Sequence, residues 1–416
     1  MRGMTTESSR QGRMIVNKIE RSSLPQKSSR KGSNQSGMRD YNERLLLSLI
    51  RREGAMAKAD IARTTGLSAQ TVTNIMRALE EDGLIVKGEP QRGKVGQPSV
   101  PIGLAPDGAF FWGLKVGRRS LEMVLTNFLG DVINRRQQMH LYPTPEATVA
   151  FVEETIAILS SDLPASHLKR IAGLGIAIPF QIWEWAEEID VSPETMTAWK
   201  TFDIVSAVSS VCGTPVFLEN DASAACGAEL VFGQTARPSE FLYIYIGYFI
   251  GGGIVLNGSL YTGPSGNAGA VGPMPVMGHD GRMTQLLDIA SLFQLERHLK
   301  AAGHDTSTLW SASEGWNTPA PIEEAWTAKT AAALAQAISA SLSVIDFEMI
   351  LIDGWMPTSL RAKLVAATAE ALGTVNMSGL NIPLLQEGSI GSDARTLGAA
   401  SLPLSQRFLL DTHLAH

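Results

Sequence analysis

The chain has 416 residues, 44% hydrophobic and 18% charged, enough for two or three domains each with its own core. That hydrophobic fraction excludes a disordered chain, and 39 glycines without a three-residue period exclude a collagen-like fibre. The longest apolar run, Phe241 to Leu256, is interrupted by glycines and falls short of the ~20 residues a spanning helix needs, so no membrane partner is expected. Two cysteines, Cys212 and Cys226, make neither a disulfide framework nor a zinc cluster. The polar N-terminus has no secretory apolar segment, so the expected compartment is the cytoplasm. The net charge of −6 is unevenly placed: residues 1–100 carry +8 and residues 101–416 carry −14. A basic head on an acidic body suits a head that meets a polyanion.

Residues 1–38 are rich in Ser, Lys, Arg, Gln and Gly without hydrophobic period and read as a disordered basic tail. A helical pattern from Asp40 carries Leu45, Leu46, Leu49 and Ile50 on one face and stops at Gly54. A short helix fits Lys58–Thr65, and Gly66-Leu67-Ser68 turns the chain into a third helix, Ala69 to Asp82, with Ser68 as its N-cap. A strand over 84–86, a basic turn over 91–98 and a return strand over 100–104 complete a domain over 39–105. From Phe110, within a body that runs over 106–416, the texture becomes α/β. Strands are expected at 111–116, 121–127, 171–178, 216–218, 241–246, 253–256 and 349–353, with a glycine turn between the strands of 241–256. Helices are expected at 148–160, 204–212, 222–232 and 322–344. The two halves of this body echo each other weakly, each with a strand–turn–strand followed by helix–strand units.

Residues 39–105 have the spacing of a winged helix-turn-helix. Ile61, Ala62, Leu67, Val72 and Ile75 form the small core, and Gly66 allows positive φ at the turn. This leaves Ser68, Gln70, Thr71, Thr73, Asn74 and Arg77 as candidates facing a major groove. Gln and Asn match adenine edges, Thr suits thymine methyls or phosphates, and Arg reaches guanine or phosphate. Arg92, Lys94 and Gln97 on the wing would add backbone contacts, which a plain three-helix bundle would not need. The expected partner is a double-stranded DNA operator.

Three body segments carry a family likeness: Glu219-Asn220-Asp221-Ala222, the stretch Ile246 to Gly258 around Gly251-Gly252-Gly253, and Gly266-Asn267-Ala268-Gly269-Ala270-Val271-Gly272. With the winged head before them, the chain from about residue 40 onward resembles the ROK family of repressors, uncharacterised frames and sugar kinases. The resemblance implies a two-lobed actin-like, hexokinase-like body over 106–416 with a cleft between the lobes. It also implies either a sugar kinase or a repressor that senses a sugar.

Residues decide between these. The family kinases have an Asp-x-Gly-Gly-Thr turn where this chain has Lys115-Val116-Gly117-Arg118-Arg119, and a Gly-Thr-Gly-Ile-Gly turn where it has Gly247-Tyr248-Phe249-Ile250-Gly251. Small residues that let backbone approach phosphate are lost from both, so no catalytic residue and no cofactor are expected. Lys115, Arg118 and Arg119 read either as an anion site or as a solvated basic turn. Asp221 falls where the family places the base for a sugar hydroxyl, so the resemblance puts Asn220, Asp221, Asn267 and Gly269 at an effector site. Asn-Asp before an Ala-rich helix equally reads as an N-cap. The family's Glu and His after the small-residue loop are Ala270 and Pro273 here. Its zinc cysteines are absent from His279 to Asp288, so no metal is expected. Asp288 stands near the family's second sugar-binding Glu, its register uncertain by one residue. The expectation is a homodimeric or homotetrameric regulator, a repressor by family analogy, responding to a sugar or polyol. A kinase, or a docking module without a small ligand, remains the alternative.

Overall fold

The computed structural model describes residues 35–90, 100–180, 182–185, 197–234 and 238–410. The head begins with α1 (Gln35–Glu53), followed by α2 (Lys58–Thr65) and α3 (Ala69–Glu81). The strands β1 (Ile85–Lys87) and β2 (Ile102–Leu104) pair antiparallel, Val86 opposite Gly103, and form the base of the wing. The helix therefore starts within the stretch expected to be a tail. Residues 37–41 are exposed and carry no apolar period, yet extending an existing helix costs little. Gly66 caps α2 at φ +69°, and the Ser68 hydroxyl accepts the Thr71 amide at 3.1 Å, so the turn chemistry is the one its residues demand. Leu46, Leu47, Leu49, Ile50, Ile61, Val72, Ile75, Met76 and Leu79 are buried, with Ala62 and Leu67 packed at their margin.

The body has two lobes. In lobe 1, β3 (Phe110–Val116), β4 (Ser120–Thr126) and β5 (Val132–Met139) form an antiparallel meander. After α4 (Pro145–Ser161), β6 (Ile171–Ile178) joins β3 in parallel. Then α5 (Ile204–Cys212) leads to β7 (Val216–Asn220), and the sheet order is β5-β4-β3-β6-β7. The helix α6 (Asp221–Phe232) leaves the end of β7. Lobe 2 repeats the order with β8 (Phe241–Ile246), β9 (Ile250–Leu256) and β10 (Ser259–Tyr261), then the small hairpin β11 (Pro275–Met277) and β12 (Met283–Gln285). It continues through α7 (Leu292–Ala301), α8 (Ala320–Leu342), β13 (Met349–Gly354), α9 (Thr358–Leu372) and β14 (Leu384–Glu387), giving β10-β9-β8-β13-β14. The two orders are the same, so the weak echo in the sequence is a duplicated topology.

The final helix, α10 (Ala394–Phe408), lies on the sheet of lobe 1 and crosses α6. Both contacts depend on missing side chains: a Cβ at Gly175 would sit 1.8 Å from the Ala399 carbonyl oxygen, and one at Gly398 2.0 Å from that of Ala224. Of the glycines at 251–253, Gly251 and Gly253 serve the same end in lobe 2. They lie inside β9 and not in a turn, because α6 rests on that strand and a Cβ at Gly253 would meet Cys226 at 2.4 Å.

Head and lobe 1 share one apolar cluster, in which Leu46 to Leu79 continue into Phe111, Val124, Phe128, Ala400 and Leu404. Arg51 donates to the Phe128 carbonyl and lies over the rings of Phe128 and Phe232, and burial pushes its guanidinium down to about 10. Arg170 donates at 3.1 Å to the carbonyls of Asp82, at the end of α3, and Gly108. These bonds and the shared cluster hold the end of α3 against lobe 1.

Candidate nucleic-acid interface and interlobe cleft

On α3, Gln70, Thr73, Asn74 and Arg77 are exposed, Ser68 is exposed at the cap, and Thr71 is half-buried. Gln70 donates to the Asn74 carbonyl oxygen at 3.2 Å, which holds the two amides side by side. Thr73 is tied back to the Ala69 carbonyl at 2.8 Å and Ser68 to Thr71 at 2.8 Å, so these hydroxyls have local partners. The wing residues Arg92, Lys94 and Gln97 lie outside the described residues.

The equivalent hairpin turns of the two lobes, Gly117–Arg119 after β3 and Gly247–Phe249 after β8, face each other across a cavity of about 230 Å³. The Arg118 guanidinium stacks on Tyr248 at 3.7 Å. Arg119 pairs with Glu296 of α7 at 3.1 Å and lies over Trp310. Lys115 is buried and bonds Glu122 at 2.7 Å. Glu122 also holds Arg135 at 3.0 Å, and Arg135 holds Asp393 at 2.6 Å. The turn is therefore no solvated loop but a set of bonds joining the lobes. Glu122 was legible, because the hairpin register sets Lys115 directly opposite it. Glu296 and Arg395 come from distant sequence and carried no signal.

In the second turn the carbonyls of Gly247 and Tyr248 accept the Leu292 and Phe293 amides at the start of α7. Tyr248 is buried against Phe249, Phe293 and Trp310. Rings fill the space, and the helix amides that would attract phosphate are already bonded.

Asn220, Asp221 and Asn267 line this cavity. The N-cap of α6 is Asn220, whose side-chain oxygen accepts the Ala222 amide at 3.0 Å. Asp221 is not the cap. Its carboxylate meets Arg395 of α10 at 3.2 Å, and Arg395 lies over Tyr245. Gly269 is not among the lining residues; at φ +81° its backbone packs on Gly253, where a Cβ would fall 2.8 Å from the Gly253 Cα. Asp288 departs from expectation too. It is exposed and accepts from Thr284 at 2.8 Å, and the lining residue of that turn is Leu287, one position earlier. The positions Ala270, Pro273 and Leu287 therefore bring only apolar groups to the cleft.

His140, behind the basic turn, is pushed down to about 4 by burial. Its neutral form belongs to the fold, so its contribution to stability is present above the ordinary value of 6.5 and is lost as pH falls toward about 4. Chemical denaturation at pH 7 and pH 4.5 should show a smaller pH-dependent loss for His140→Gln than for the wild type. Equal losses would remove His140 from the account.

A winged helix-turn-helix fused to a two-lobed frame with plugged phosphate turns has the build of a DNA-binding regulator. Residues 39–86 match the winged helix-turn-helix DNA-binding family and residues 111–406 match the ROK family. The chain belongs to the ROK family. It is 25% identical over 372 residues to the uncharacterized protein y4fQ of Sinorhizobium fredii, across 88% of this chain and 91% of that one. It is 27% identical over 245 residues to the xylose repressor of Bacillus subtilis, across 59% of this chain and 62% of the repressor, so the match spans less than two thirds of that relative. Among solved structures, a ROK family transcriptional regulator homologous to the MLC protein of E. coli superposes with a TM-score of 0.63 at 19% identity, covering 89% of this chain and 97% of that one.

Proposed function

We propose that the chain is a sequence-specific DNA-binding regulator, most simply a repressor of carbohydrate genes, whose cleft holds a sugar-like effector and catalyses nothing. The observation that carries the reading is the exposed polar face of α3 on a head tied to lobe 1 by Arg51 of α1 and by Arg170 at the end of α3. The heads would bind a palindromic operator as a dimer or tetramer, with half-sites about 34–36 Å apart per helical turn. An effector that favours one lobe arrangement then alters the spacing of the heads, provided it binds the two arrangements with different affinity. The xylose repressor likeness supports a sugar or polyol effector and a repressing role. Among the described residues no helix is long and apolar enough to cross a membrane.

Against phosphoryl transfer stand the bulky turn at Tyr248 and Phe249 and the engagement of Asp221 by Arg395. A coupled ADP-release assay over a sugar panel should stay at background, and turnover on any sugar would reinstate the kinase reading. Asn74→Ala and Arg77→Ala should each weaken binding to a selected operator by about 1–3 kcal/mol at fixed salt while leaving the thermal midpoint unchanged. Unaltered gel-shift midpoints would take both residues off the contact surface.

A further inference from the structure

The cleft has an electrostatic character that neutral hydroxyl recognition does not explain. Among the described residues, its charged lining consists of Lys115, Arg118, Arg119 and Arg395 against the carboxylate of Asp221. Glu122 and Glu296, which pair with Lys115 and Arg119, stand behind these cations and do not line the cavity. Among the described residues, the Nε–H groups of Arg119 and Arg395 are buried without a hydrogen-bond acceptor. Buried donors are almost always satisfied, and a charged one left unmet is costly. Ala270, Pro273 and Leu287 bring no polar side chain to the same cavity.

We infer that the effector is an anion, a polyol bearing a carboxylate or phosphate group, with its acidic oxygens held by the guanidinium groups of the cleft. A guanidinium presents paired donors that match both acids, so the shared chemistry is the anionic group. Asp221 then serves as acceptor for a hydroxyl of the same molecule, and the rings of Tyr248, Phe249 and Trp310 cover its apolar face. The inference rests on the reading of the cleft as an effector site.

Isothermal titration of the full chain at constant ionic strength tests it. The probes are D-glucose, D-galactose, D-mannose and D-xylose, the corresponding uronates, the corresponding sugar phosphates, and inorganic phosphate. At least one acid should bind 10-fold or more tightly than its neutral parent. The uronate and phosphate arms identify which acid is meant. Arg119→Gln, at a partly exposed side chain whose partner Glu296 keeps Lys300 at 3.0 Å, should reduce that preference at least 10-fold, and Arg118→Gln should act in the same direction. A neutral sugar binding as tightly as its acids would overturn the anion inference while sparing the effector reading. Silence from every compound would overturn both. An acid whose affinity is unchanged in both variants binds elsewhere, and that too would overturn the inference.

Discussion

Gly398→Val should destabilise the chain by at least about 3 kcal/mol. Gly398 lies where α10 crosses α6, and a Cβ there would stand 2.0 Å from the Ala224 carbonyl oxygen and 2.3 Å from its carbon. These are backbone atoms of a buried helix, so nothing can rotate aside. The helices must separate, and with them the sheet of lobe 1 from that of lobe 2. Overpacking of a close-packed core typically costs 1–3 kcal/mol, and a direct backbone collision belongs beyond that range. Gly227→Ala on α6 is the control. Its Cβ would meet Ser401 Oγ at 3.6 Å and Leu260 Cδ2 at 3.7 Å, ordinary contacts, and removing a helical glycine stabilises by up to about 1 kcal/mol. Denaturant midpoints of the two variants should move in opposite directions. A wild-type midpoint for Gly398→Val would show that the two helices do not cross as described.

Glu122→Ala should be nearly as severe, costing about 3–5 kcal/mol, because it strands the buried Lys115 ammonium without its partner. Replacing both members, Lys115→Met with Glu122→Leu, should recover most of the loss, since a paired burial of charge gains little over a well-packed apolar pair. Burial pushes the Glu122 carboxyl up, but Lys115 and Arg135 together pull it below the usual 4.5. A carboxyl with a depressed value contributes stability above 4.5 that is lost as pH falls through the lower folded value. The wild type should therefore weaken in acid more steeply than the double variant. Parallel pH profiles would mean that the pair does not form. The functional consequence follows from position: Glu122, Arg135 and Asp393 link the first hairpin of lobe 1 to the start of α10, the helix that meets lobe 2.

The helix-turn-helix of the head was readable, since Gly66, Ser68 and the spacing of Ile61, Val72 and Ile75 are local signals, and α2 and α3 fall where they place them. Buried strands such as Ile171–Ile178 announce themselves as apolar runs. The edge strand β5 does not, because Val132–Met139 is largely exposed and reads as polar chain. The helix α10 was hidden by Pro403 in its interior, which ordinarily breaks a helix. The cleft was half legible. Asp221 was identified by position, but its partner Arg395 lies 174 residues away and only the crossing of α6 and α10 brings it near. Asp288 was misplaced because a one-residue register decides which side chain of a turn lines a cavity, and Leu287 takes that place.

The most direct test of the regulator reading is selection of duplexes from a random DNA pool by the full-length chain, followed by anisotropy titration at fixed salt. Expected is an enriched palindromic sequence bound at least about 10³-fold more tightly than random DNA, with the preference falling in Asn74→Ala. Enrichment of no sequence, with equal and purely salt-dependent binding to all duplexes, would contradict the assignment of α3 as a reader of base edges and of the chain as a regulator.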